Sequence, residues 1–299
     1  MEIGEESVDL FDCDANSLTS TSVLIDLRLE NRVNQTIASH RNLQLYIRIS
    51  KDIIYESSDR KSVKRWKETD LSILLPSSGF SDNARKILSI ENSLVIQRMN
   101  GGIPFVLFRV PDVISSDNKQ LWAYLLWLRS NKVKPVTVSN SWFTFSLIYS
   151  KDIAKSIAQI LDLGTFIRDQ AINLAYKRSF NLHSILIDMT KILRRKVDIH
   201  IDDRVTNFLP TSRIGTLDVW KMNSLLDIEC TEWNTALRMT LNEMESLMGV
   251  SSPERDRAIH FSLTNIFAGL EERFLEEIET YYAINLNKFR HSLRFKTEL

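Results

Sequence analysis

The sequence predicts an α/β fold built on a parallel sheet, and three observations predict it. Strand-like and helix-like runs alternate along the first two thirds of the chain, at the spacing that strand–helix–strand units need. The run Pro104 to Val110 (PFVLFRV) has little polar interruption, as expected of a strand covered on both faces. Of the 299 residues, 43% are apolar and 25% charged, a soluble globular composition that can fill a sizeable core.

In chain order, Val8 to Cys13 (VDLFDC) reads as a short strand. Thr21 to His40 reads as a helix, because Val23, Leu24, Leu27, Val33 and Ile37 fall at mostly helical spacing. Leu43 to Ile49 (LQLYIRI) alternates as a strand does. Asn83 to Met99 is a predicted helix stopped by Asn100-Gly101-Gly102, and Pro104 to Val110 is the buried strand. A helix at Lys119 to Ser130 follows, then strands near Pro135 to Val138 and Trp142 to Tyr149, and a helix at Lys151 to Leu163. Smaller segments come next: a strand near Ala171 to Ala175, a helix at Leu182 to Leu193, the alternating Lys196 to Ile201, and helices around Asp218 to Leu226 and Glu232 to Met248. Ser251-Ser252-Pro253-Glu254 is a helix start, with serine as cap and proline just inside. Beyond it Ile259, Phe261, Phe267, Leu270 and Phe274 recur at spacings near three and four, which predicts an amphipathic helix or helix pair. The expected division is a body at 1–250 and a helical extension at 251–299.

Charge and composition exclude several classes. Lys plus Arg total 38 and Asp plus Glu total 38, so no global basic field gathers nucleic acid. Two cysteines and five scattered histidines give no metal-ligand spacing. The longest apolar run, Leu121 to Leu128, is far short of the roughly 20 residues that span a bilayer. The acidic start lacks a signal-peptide pattern, so a cytoplasmic location is expected. The terminal Lys296-Thr297-Glu298-Leu299 resembles an endoplasmic reticulum retrieval signal, which would operate only if a longer precursor carried the chain into that lumen.

Several stretches resemble, in order, the extended short-chain dehydrogenase/reductases, specifically the NAD-dependent epimerases and dehydratases. LQLYIRISKDIIYES at 43–57 is similar to the family's strand ending in "SS..vY", and ARKILSIEN at 84–92 to its catalytic-helix segment. IPFVLFRVPDVISSDN at 103–118 resembles the "lR...vyGp.d" strand and loop, and FSLIYSKDIAKSIAQIL at 145–161 the "v.V.Dva.a" unit. INLAYKRSFNLHSILIDMTKIL at 172–193 and ECTEWNTALRMTLNEME at 229–245 resemble its later segments. The resemblance places VDLFDCDA at the family's fourth strand. It implies a Rossmann-type parallel sheet lacking its first strands, a small C-terminal α/β lobe and added C-terminal helices.

The chain departs from the family pattern at the chemistry. Its eight glycines form neither G-x-G-x-x-G nor G-x-x-G-x-x-G, the turn that brings a helix N-terminus to the cofactor pyrophosphate. The family's Tyr and Lys, four residues apart, exchange a proton with the substrate hydroxyl. Ungapped alignment puts Asn83 and Ile87 there, with Lys86 on the wrong face. The Ser/Thr position falls on Lys51, beside Ser50. No catalytic residue and no cofactor is therefore expected, NAD or NADP being reserved for a longer form. Arg109 and Ser115 are candidates for a substrate-type loop, Arg109 being open also to a paired, buried role. The expected function is a non-catalytic interaction or scaffold subunit with a protein partner or self-association, anchored by Phe261, Phe267, Leu270 and Phe274. The alternative is an NAD(P)-dependent oxidoreductase or sugar-nucleotide epimerase/dehydratase.

Overall fold

A computed structural model describes residues 23–27, 33–39, 42–56, 65–71, 80–130, 135–139, 143–163, 167–202, 204–248, 255–256 and 259–261. Its centre is a four-stranded parallel sheet in the order β1-β2-β4-β8, made of β1 (Val23–Asp26), β2 (Leu45–Lys51), β4 (Phe105–Val110) and β8 (Gln170–Asn173). All six residues of β4 are buried, which is why its sequence runs apolar without alternation. The two faces still divide the work. Val106, Phe108 and Val110 join Ile47 and Ile172 in one core, while Phe105 and Leu107 join Tyr46 in another.

Helix α2 (Asp82–Met99) contributes Ile87 and Leu88 to the first core and Ile90 and Leu94 to the second. Ser81 caps it by accepting a hydrogen bond from Ala84 N–H, so the helix begins where a hydroxyl can satisfy an orphan donor. It stops at Asn100, followed by Gly101 at φ +79°, a left-handed turn that a side chain would strain. Helix α1 (Val33–Ser39) packs against α2.

Some of the remaining elements form a smaller lobe with a core of its own, while others, carrying Trp66, Ile160, Leu217, Met222 and Leu226, pack on the core of the sheet. Two-stranded parallel pairs join β5 (Asp112–Ile114) to β7 (Leu147–Tyr149), β6 (Val136–Val138) to β9 (Ile199–Ile201), and β10 (Thr216–Leu217) to β3 (Arg65–Trp66). Helices α3 (Lys119–Arg129), α5 (Leu182–Ile192) and α7 (Trp233–Met248) share a core rich in aromatic side chains, among them Trp122, Tyr124, Phe180 and Trp233. Asn118 and Asn181 cap α3 and α5. Helices α4 (Ser150–Leu163) and α6 (Trp220–Leu226) complete the body.

One expectation needs correction. Thr21 to His40 is not one helix: Val23–Asp26 is a strand and only Val33–Ser39 is helical. A short apolar run carries no periodicity of its own, and in-register pairing with β2 makes it strand. This strand precedes β2 in the parallel sheet, the place that the resemblance gave to VDLFDCDA, which lies outside the described residues.

The described part of the extension packs back on the body. Ile259 is buried, and the Phe261 ring meets Phe208 edge-on at 5.3 Å between centroids, with the Lys119 ammonium over its face. Phe261 therefore contacts its own lobe; Phe267, Leu270 and Phe274 lie outside the described residues.

Candidate functional site

The polar groups of this fold gather at the C-terminal ends of β2 and β4, which are in register at Ser50↔Arg109 and Lys51↔Val110. Two layers can be distinguished there. The inner one is a buried network. Arg109, fully buried, donates from Nη2 to Glu91 Oε2 at 2.8 Å, and from Nη1 to Tyr55 OH at 2.9 Å. Ser50 Oγ donates to Glu91 Oε1 at 2.5 Å, and Tyr55 OH donates to Asn173 Oδ1 at 2.7 Å. The Asn173 amide nitrogen donates to the carbonyls of Trp66 and Asp218, and its backbone N–H donates to Glu68 Oε1 at 2.7 Å.

The members of this network are paired with one another. Burial would lower the Arg109 pKa, but the Glu91 carboxylate and Tyr55 outweigh it and hold it above the ordinary arginine range. Burial likewise raises the Tyr55 pKa, against the opposing pull of Arg109, so this phenol stays protonated and is no general base. Its ring stacks on Trp66 at 5.5 Å. The set fastens β2, α2, β4 and β8 together.

The outer layer is an acid pair just past the strand ends. Asp52 opens the 3-10 turn Asp52–Tyr55 after β2, and Asp112 opens β5 after β4. The Asp52 carboxyl is pushed up to about 8, mainly by burial and further by the Asp112 carboxylate, while hydrogen bonding from Ser212 and the charge of Lys51 oppose the shift. Asp112 is raised too, chiefly by burial. Ser212 Oγ donates to Asp52 Oδ1 at 3.1 Å, and Thr211 donates to Asp112 from its backbone N–H, at 2.7 Å, and from its hydroxyl. The loop before β10 is thus pinned to both strand ends. Asp52 holds a proton at neutral pH and Lys51 beside it is exposed, so the mouth combines an acid, a cation and a hydrogen-bonding loop.

The residues singled out in the sequence separate here. Asn83 is exposed on the first turn of α2, Lys86 is exposed, and Ile87 is buried in the sheet core. Arg109 takes the paired, buried role. Ser115 is half-buried in the turn after β5, its carbonyl accepting from Asn118 N–H at 3.1 Å. Asp152, in the first turn of α4, is buried and accepts from the Thr231 N–H and hydroxyl, tying α4 to the segment before α7. Sequence reasoning missed Asp52 and Asp112, which stand 60 positions apart and meet only through parallel pairing. Among the described residues no group of His, Cys, Asp and Glu could hold a metal ion, and no helix is long and apolar enough to cross a membrane.

The architecture is a Rossmann-type α/β fold, one that solved structures of sugar-nucleotide epimerases and dehydratases share. No protein-family model matches the chain, and no curated protein matches it by sequence. Solved structures do. UDP-glucuronic acid 4-epimerase from Bacillus cereus in complex with NAD is similar at TM-score 0.63 and 19% identity, over 79% of this chain and 78% of that one. RMD from Pseudomonas aeruginosa, complexed with NADPH, matches at TM-score 0.60 and 12% identity, over 78% of this chain and 86% of that one. dTDP-glucose 4,6-dehydratase from Bacillus anthracis, in complex with NAD, matches at 0.59 and 13%, over 78% and 75%. These structures overturn the expectation that the chain takes no cofactor. The missing glycine motif was its ground, yet structures of this fold hold NAD or NADPH, and a fold is set by sheet order and packing rather than by one loop.

Proposed function

We propose that this chain is an NAD- or NADP-binding protein of the sugar-nucleotide epimerase/dehydratase type, with the dinucleotide lying across the C-terminal mouth of the parallel sheet. The observation that carries this reading is the parallel sheet β1-β2-β4-β8 with its polar mouth, in a chain whose fold is similar over 79% of its length to an epimerase solved in complex with NAD. Open parallel sheets take ligands outside the carboxyl ends of their strands. A bound nicotinamide would supply hydride transfer to and from a sugar carbon.

At the mouth Lys51 is exposed and would meet the charge of a dinucleotide phosphate, and Asn83 is exposed on the first turn of α2. They do not supply the proton-transfer pair, since an amide at Asn83 moves no proton and Ile87 carries no charge. No proton-transfer step is assigned to α2. That same observation favours a second reading, in which the chain binds dinucleotide without turnover and acts through a protein partner. Exposed apolar side chains at Leu27, Ile96 and Met99 support such a partner.

Incubation of the full chain with NAD and UDP-glucuronic acid or dTDP-glucose, followed by proton NMR of the sugar, separates the two. New sugar species support the enzyme reading. Cofactor binding without new species assigns the second, and neither binding nor turnover overturns both.

A further inference from the structure

A cavity lies beside β8. Its volume is about 710 Å³, within the range of small-molecule sites, and its walls are the 3-10 turn Glu68–Asp70, the start of β8, and α6. The edge strand forming its floor is occupied by side chains rather than by another strand. Glu68 accepts from Asn173 N–H, and Lys221 Nζ donates to Ala171 O at 2.7 Å.

Three features of the lining point to a ligand. Trp220 lies 74% exposed, the most exposed of the large apolar side chains among the described residues, and offers an indole face beside Leu225. Lys67 and Lys221 bring two ammonium groups to the same walls. Glu68 and Asp218 line it too and each accepts a main-chain N–H, from Asn173 and from Trp220, while Lys221 donates to the Ala171 carbonyl. Half-burial, with the Arg109 charge added and Glu68 opposing, holds the Lys221 pKa below the ordinary lysine value.

We infer that this cavity binds a planar aromatic molecule bearing one anionic group, its ring stacked on Trp220 and its anion on Lys221 and Lys67. Stacking supplies apolar contact on a ring that is otherwise in water, and the anion pairs with the two ammonium groups of the lining. The lining includes none of Lys51, Asp52 and Asp112 of the mouth, although Glu68 and Asp218 join it to the Arg109–Asn173 network.

The test is calorimetric titration of the full chain with 2-naphthoate, beside 2-naphthylmethanol, which lacks the charge, and cyclohexanecarboxylate, which lacks the planar ring. Saturable binding of 2-naphthoate is expected, with both analogues weaker. Trp220→Ala, at an exposed position that folding does not depend on, should weaken binding roughly tenfold or more. Lys67→Ala should weaken it about twofold to fivefold, and added salt should act in the same direction. Saturating NAD should leave binding unchanged. Absence of saturable binding, equal affinity in Trp220→Ala, or displacement by NAD would each overturn the inference, the last by placing the probe at the sheet mouth; failure of NAD itself to bind would bear only on the proposed function.

Discussion

Arg109 and Glu91 form an ion pair, 2.8 Å between Nη2 and Oε2, with both side chains almost wholly shielded from water. It joins the central strand β4 to helix α2, and every remaining donor or acceptor drawn into it, from Ser50, Tyr55 and the Glu68 carbonyl, belongs to another element. A buried pair of this kind adds little over a well-packed apolar pair, but breaking it strands a charge.

Glu91→Ala should therefore cost about 3–5 kcal/mol of stability, because it leaves the Arg109 guanidinium buried without its carboxylate. Urea unfolding followed by circular dichroism measures this. A loss below about 1 kcal/mol would show that water or another carboxylate reaches Arg109.

Asp52 predicts a dependence on pH. Its carboxyl titrates near 3.8 when unfolded and at about 8 in the fold, so the folded state binds more protons between those values. The stability it contributes is full below about pH 4 and is lost as pH rises through about 8. Asp52→Asn keeps an acceptor for Ser212 and carries no charge, so its unfolding midpoint should fall less than the wild-type midpoint across that window. Parallel curves for the two proteins would remove Asp52 as the source.

The extension should stabilise the body through its first residues. Ile259→Ala should cost about 2–5 kcal/mol, as expected for a buried isoleucine, and Phe261→Ala about 1.5–3 kcal/mol. Thermal unfolding of each variant measures the loss. An unchanged melting temperature in both would mean that the docking of Ile259 and Phe261 on the lobe is dispensable.

Gly101→Ala should cost roughly 1–2 kcal/mol, because its φ of +79° lies where a Cβ is strained, although nothing crowds the position. A neutral result in chemical denaturation would show that the turn after α2 relaxes.

Much of the fold was legible in the sequence, and the reasons are local. The uninterrupted apolar run at 104–110 became the wholly buried β4, and the pattern at 83–99 with its Asn-Gly-Gly stop became α2 within one residue. Val23–Asp26 was not legible as a strand, since four apolar and acidic residues fit either period and only pairing with β2 decides. The site was less legible for a related reason. Asn83 and Ile87 could be found by fixed spacing on one helix, but Asp52 and Asp112 have no sequence signature. Their proximity comes from the register of β2 against β4, and the raised Asp52 pKa from burial, neither of which is a local property. The Arg109 partner was equally hidden, as Glu91 reads like any polar helix position until α2 is laid on the sheet.

The central claim is that this sheet mouth takes a nicotinamide dinucleotide, and calorimetric titration of the full-length chain with NAD, NADH, NADP and NADPH tests it most directly. The account predicts saturable binding of at least one of the four at one site per chain, with affinity in the micromolar range. Flat heats for all four up to millimolar concentration, from a chain whose folding is verified by circular dichroism, would contradict it.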